Sequence, residues 1–185
     1  MMVPPRVDLS RHEVVGLVEF TSSDAGALGP LTTKRFLEAA RRDQGLVRVV
    51  LLGTEADVLA EVGRGRLDQA ALQALGQRHQ IRTVITGELD VSEVRPDVRI
   101  APGLKYARIA AEVEATLSTN MVETATGASI WSDTSTTKQR VAQISVHGGD
   151  VFTFDADHPD EAYGTLVGTL VEQVTRDFRT TWVRR

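Results

Sequence analysis

Few residues of this chain combine chemical reach with a spacing that would use it. The histidines are His12, His79, His147 and His158. No two are spaced as a helical ligand pair, and no His-Glu-x-x-His run occurs, so a histidine-bound zinc site has no frame. One stretch gathers donors for a divalent cation: Asp150, Asp155, Asp157, Asp160 and Glu161, flanked by His147 and His158. Asp160 and Glu161 have a second explanation, as acids in the first turn of a helix opened by Pro159, where the helix dipole favours them. No metal and no other cofactor is therefore expected. Serines are many, but none lies in a Gly-x-Ser-x-Gly elbow, and the chain has no cysteine. That excludes disulfides, thiolate metal sites and a cysteine nucleophile. Gly63-Arg64-Gly65 lacks both the preceding strand and the Lys-Ser/Thr of a phosphate loop, and reads as a junction between helical segments. Glu112 and Glu114 project the same way from one extended segment; a solvated sheet face accounts for them better than acid–base work in a cleft. No catalytic residue is expected.

The remaining side chains of note suit contact. Trp131 follows a turn and has two readings: an exposed anchor for a partner or membrane surface, or an indole covering the end of the core. Trp182 raises the same question near the C-terminus. Gly164 and Gly168 form Gly-x-x-x-Gly, which in a water-exposed helix suits close packing on a sheet. The formal charge of −4 supplies no broad positive field, so nucleic acid is not an expected partner. No window of about 18 apolar residues suits a membrane-spanning helix, and no signal peptide is visible.

The elements that position these residues alternate between strands and helices. Over 185 residues, the 42% hydrophobic and 25% charged fractions fit one globular domain, its core built on Val, Leu, Ile and Ala because aromatics are only 5%. Residues 1–11, with two prolines and mixed charge, are expected to form a flexible tail, as are 181–185, leaving a single domain over 12–180. Residues 13–20 and 46–52 read as buried strands. Helices are expected over 31–44, from Thr54 (as cap) through Val62, over 66–79, and from Pro159 onward, the last with a stripe of Tyr163, Leu166, Val167, Leu170, Val174 and Phe178. A third strand starts near Thr83, and Pro96 to Gly103 reads as a loop.

The strongest pattern is a period of two. Ala107, Ile109, Ala111, Val113, Ala115, Leu117 and Met121 alternate with Arg108, Glu112, Glu114, Thr116, Ser118 and Asn120. A turn over Thr124–Gly127 and an extended run from Ile130 to Val146 complete a long antiparallel hairpin spanning about 106–146. Gly148-Gly149 should end the sheet, with 150–157 a loop. The order is β-α-β-α-α-β-β-β-α, an α/β (α+β) fold with a mixed sheet. The polar hairpin face, with Glu112 and Glu114, and the Thr126-Gly127 turn become the candidate contact surface, together with Trp131.

Several phrases in this order resemble the CsgG/PelC/TolB N-terminal-like group of bacterial envelope proteins. They are the apolar strand Val14–Phe20, the helix-to-strand run Gln69–Glu88 ending Thr-Gly-Glu, the hairpin Leu117–Ser132 with its Thr-Gly and Trp-Ser, and the amphipathic run Ala162–Phe178. The resemblance spans about 12–180 and departs from the curli branch at Val49–Gly53, where that branch often carries Glu-Arg. The length leaves no room for the pore-forming hairpins of that branch, and the smaller PelC-like members match in size. The resemblance implies a non-enzymatic periplasmic subunit, anchored to the outer membrane through a lipid, that assembles as a homo-oligomeric ring or docks on envelope proteins of an export machine. The alternative it implies is a monomeric regulatory lipoprotein that activates a cell-wall synthase or serves the flagellar basal body.

Overall fold

The computed structural model describes residues 2–23, 27–92, 95–97, 110–142, 144–147, 151–154 and 159–182. The chain starts with a two-residue strand, β1 (Met2–Val3), and a 3-10 turn over Leu9–His12 before the first core strand, β2 (Val14–Val18). After β3 (Thr21–Ser22), helix α1 (Leu28–Arg41) leads to β4 (Arg48–Gly53). Helix α2 (Glu55–Val62) begins at Thr54, as its sequence suggests: the Thr54 side chain accepts from the Asp57 backbone N–H while Asp57 reaches back to Thr54, a reciprocal capping box. Asp68 caps α3 (Gln69–His79) in the same manner, accepting from Ala71 N–H at 3.0 Å. Then follow β5 (Thr83–Val91), β6 (Arg95–Asp97), β7 (Ala110–Glu123), β8 (Ser129–Ala142), β9 (Ile144–His147) and β10 (Val151–Phe154). Helix α4 (Pro159–Val174), a 3-10 turn over Arg176–Phe178 and β11 (Thr181–Trp182) close the chain.

The main sheet runs β4-β2-β5-β7, with β8 on the far side of β7 and the short β6 and β3 pairing β7 and β5. β4, β2 and β5 are parallel; β7 is antiparallel to β5, and β8 to β7. The fold class read from the sequence is therefore the observed one, a mixed sheet with helices packed on it and a long antiparallel hairpin. Period two sorts the residues of β7 as expected: Val113, Ala115, Leu117 and Met121 are buried on one face with Val15, Leu17, Ile85 and Leu89, under α1 and α4. Every residue of the expected α4 stripe, Tyr163 through Phe178, joins that core, although Phe178 comes from the 3-10 turn beyond the helix. On the other face a smaller cluster, Val84, Val122 and Ile81, is covered by Val58, Leu72 and Leu75 of α2 and α3.

Some expectations need correction. Helix α1 begins at Leu28, with Pro30 inside its first turn, where the missing N–H costs nothing, and ends at Arg41. The strand expected to be buried over 46–52 is a sheet edge: among the described residues β4 pairs only with β2, Leu51 is 52% exposed and Leu46 is fully exposed. Pro96 is not in a loop but in β6, opposite Ala111, at a sheet position where its missing donor is tolerated. The stretch 150–157 is not all loop, because Val151–Phe154 pairs back on Ile144–His147 as a ribbon separate from the main sheet. Among the described residues Gly164 and Gly168 make no close packing contact, since a methyl group built on either meets none of their atoms within 4 Å.

The segments expected as tails are folded against each other. β1 pairs antiparallel with β11, matching Met2 to Trp182 and Val3 to Thr181. Leu9 is buried at 1% exposure. A single polar side chain binds the two ends. Gln44, itself buried, accepts from Leu9 N–H (2.7 Å) and donates to the carbonyls of Val7 (2.8 Å) and Phe178 (2.6 Å). Trp182 is 77% exposed at this seam.

Candidate interaction surface

The hairpin face opposite α1 and α4 is covered by α2 and α3 only near the turn. Beyond that point three parallel-running rows of polar side chains lie open. The register aligns Thr86, Asn120 and Ser132 across β5, β7 and β8; then Glu88, Ser118 and Thr134; then Asp90, Thr116 and Thr136. Cross-strand hydroxyls bond to one another: Thr116 Oγ1 with Thr136 Oγ1 at 2.9 Å, and Thr134 donating to Ser118 Oγ at 3.2 Å. Such pairs are the side-chain unit of sheet stability. The first two rows floor a shallow depression of about 440 Å³ whose rim carries Glu19 and Glu55. Further along, Glu114 pairs with Lys138 at 2.8 Å, and Glu112 is exposed on the same strand face.

β8 forms the rim of this face. Its fourteen residues, at about 3.3 Å each, extend for roughly 46 Å. Its one strand partner among the described residues is β7, and no described strand pairs with its other edge.

The turn is built tightly. Gly127 sits at φ +73°, donates its N–H to Glu123 O (2.8 Å), and lies against Gln69 of α3, so that a Cβ there would come within 3.2 Å of the Gln69 Cβ. Thr126 Oγ1 donates to the Glu123 carboxylate (2.6 Å) and accepts from Ala128 N–H (3.1 Å). Thr124 bonds the Ile81 carbonyl, and Gln73 donates to Ala125 O at 2.8 Å. Thr126 is exposed, but its hydroxyl already serves the turn. Trp131 is half-buried, with its ring edge-on to Phe178 at 4.7 Å and its indole N–H donating to Asp177 at 3.2 Å. Of its two readings the structure adopts the second, an indole covering the end of the core.

A cleft of about 670 Å³ lies between the N-terminal segment and the hairpin, walled by Trp131, Ile130 and Pro5. Two of its cations are paired: Arg11 with Asp8 at 3.2 Å, Arg6 with Asp177 at 3.5 Å. Within it His12 Nδ1 is 2.9 Å from Thr83 Oγ1, and burial holds the imidazole below its ordinary pKa. His79 pairs with Glu61 at 3.0 Å across α2 and α3, and that contact, with the adjacent Arg78, lowers the Glu61 pKa. His79 faces a carboxylate, and the hydroxyl that His12 meets belongs to Thr83, a residue buried in the sheet. Gly63 is the left-handed C-cap of α2, which explains the Gly-Arg-Gly phrase as a helix stop. Among the described residues no group of three or more His, Asp or Glu could hold a metal ion. Of the acidic cluster considered for a cation, Asp150, Asp155, Asp157 and His158 lie outside the described residues, as do Ala107 and Ile109 of the alternating run. Sequence reasoning missed Gln44 and the open β4 edge. Neither leaves a local signal, because a lone Gln and an apolar pentad look alike in many settings.

No protein-family model matches this sequence, and no curated protein does. Solved structures do share its general shape. A PelC dodecamer subunit from Paraburkholderia phytofirmans is 13% identical at TM-score 0.47, with 97% of each chain covered. A lipoprotein from Neisseria meningitidis is 18% identical at TM-score 0.41, covering 87% of this chain and 96% of that one. The C-terminal domain of LpoB from Escherichia coli is 13% identical at TM-score 0.42, covering 69% of this chain and 84% of that one. Similarity at this level bears on neither family nor function, which rest on the residues and geometry of the chain itself.

Proposed function

We propose that this chain is a non-enzymatic assembly subunit of the bacterial cell envelope, working in the periplasm as a self-associating, ring-forming part of an export machine. The observation that carries the proposal is the hairpin: a long edge that no described strand pairs, beside a hydroxyl-lined face, in a chain where His12, His79, Glu61 and Glu114 are engaged in structural contacts. Unpaired strand edges recruit further strands. The residue-level resemblance over 12–180 supports the envelope setting and, with it, anchoring at the outer membrane through a lipid carried elsewhere. No helix of the described residues is long and apolar enough to cross a membrane. In this reading Glu112 and Glu114 belong to the contact face, while Thr126, Gly127 and Trp131 hold the hairpin end in place beside it. Light scattering after gel filtration tests the proposal. A concentration-dependent homo-oligomer is expected. A strict monomer at high concentration, capturing one envelope protein in a one-to-one complex, would replace this reading with the monomeric regulator.

A further inference from the structure

We infer that the self-association surface is edge to edge, β8 of one copy taking β4 of the next as a parallel strand, so that one sheet continues from copy to copy. The inference rests on the assembly reading above and names its partner: a second copy of this chain.

The sheet has two ends, and they differ. At one end β8 offers a polar edge; at the other β4 offers an apolar one with Leu51 half exposed. Edges of monomeric proteins are blunted by proline, bulges or lysine. β4, Arg48-Val49-Val50-Leu51-Leu52-Gly53, has no proline or lysine; its one bulge falls at Leu52, where Leu17 pairs with Leu51 and Val18 with Gly53, and leaves Arg48–Leu51 in regular register. β8 meets its first lysine only at Lys138, which leaves the run from Ile130 to Thr137 unprotected and long enough for the six residues of β4. A two-fold contact of β8 with itself would leave every β4 edge open. A β8-to-β4 contact satisfies both edges with one interface, and such a head-to-tail contact closes into a ring when its rotation divides the circle.

Topology fixes the direction. β4 is parallel to β2 and β5, β7 reverses, and β8 reverses again, so β8 and β4 run the same way within a copy. Continuing the sheet with the same face outward therefore makes the new pair parallel. The charges select the same direction. The parallel join sets the end of β4, where α2 opens with Glu55 and Asp57, beside Lys138 on the same sheet face. The antiparallel join would instead bring exposed Arg48, on that face, to Lys138.

The absence of native cysteine makes disulfide trapping clean. Leu51 shares a sheet face with Val49, which packs on the α1 side, and Ser135 and Thr137 alternate onto that side from β8. The double variants Leu51→Cys/Ser135→Cys and Leu51→Cys/Thr137→Cys, oxidised under native conditions, are expected to give a ladder of covalent oligomers ending at the native assembly size. The single variants should give no ladder. Leu51→Lys should raise the concentration for half-dissociation by roughly tenfold or more, with the thermal melt of the monomer unchanged because Leu51 is already half exposed. An intact oligomer that yields no Leu51→Cys ladder, or yields Leu51→Cys homodimers, overturns the edge-to-edge inference and leaves the assembly reading standing. A chain that stays monomeric overturns both.

Discussion

Replacing Gln44 by alanine is the sharpest probe of how the two ends of the chain are held. The side chain is 6% exposed and makes three hydrogen bonds to backbone, at 2.6 to 2.8 Å, on segments 35 to 134 residues away. Alanine removes all three and leaves the buried Leu9 N–H and the Phe178 carbonyl without partners. Each buried unsatisfied group costs about 1–3 kcal/mol, while the Val7 carbonyl, partly exposed, recovers water. The expected destabilisation is about 3 kcal/mol. At roughly 2–4 °C per kcal/mol for a domain of this size, the melting temperature should fall by about 6–12 °C. Urea unfolding should show a lower midpoint at unchanged slope, because the core exposes the same area. Native-state hydrogen exchange should locate the effect, with the Leu9 amide losing protection more than amides of β7. Gln44→Glu should be no better at neutral pH, because its carboxylate faces two carbonyl oxygens. If Gln44→Ala stays within about 0.5 kcal/mol of the parent and Leu9 keeps its protection, the clasp is not held by this side chain and the reasoning fails.

Three further outcomes follow from the same geometry. Gly87→Ala places a methyl carbon 2.7 Å from the Phe20 ring, and overpacking of this kind costs about 1–3 kcal/mol; calorimetry of Gly87→Ala with and without Phe20→Leu should show a cycle in which the second change relieves part of the first. Thr54→Ala breaks the capping box of α2 at a cost of about 1 kcal/mol, readable as a shifted urea midpoint, and Thr54→Ser should restore most of it. His12 has a folded-state pKa below its ordinary 6.5, so the unfolded chain binds its proton more strongly; stability should rise with pH up to about 6.5 and lose this dependence above it. An NMR titration of His12 with a midpoint at or above 6.5 would reverse that sign.

The elements of this protein were legible wherever a pattern is local. Alternation in residues 110–121 specifies a strand with one buried face, because successive side chains of an extended chain must diverge. The apolar stripe from Tyr163 to Phe178 specifies a helix with one buried side. Thr54 and the Thr126-Gly127 pair announce a cap and a turn, since the hydrogen bonds they make lie within a few residues. The function-bearing features were not legible in this way. An apolar run such as Val49–Leu52 reads as a central strand, and only the sheet order shows that it has one neighbour and an open side. Pro4 and Pro5 read as a loose leader, yet Gln44 and β11, dozens of residues away or more, fold that leader down. Trp131 carries two readings in the sequence; Phe178 and Asp177, on the far side of α4, decide between them. By itself the sequence determined which segments are strands and helices and which of their faces are apolar, because propensity and periodicity act along the chain. Which edges stay open, which ends are clasped and which charges meet are properties of pairs distant in sequence, and only tertiary structure, where those pairs come within hydrogen-bonding and packing distance, decides them.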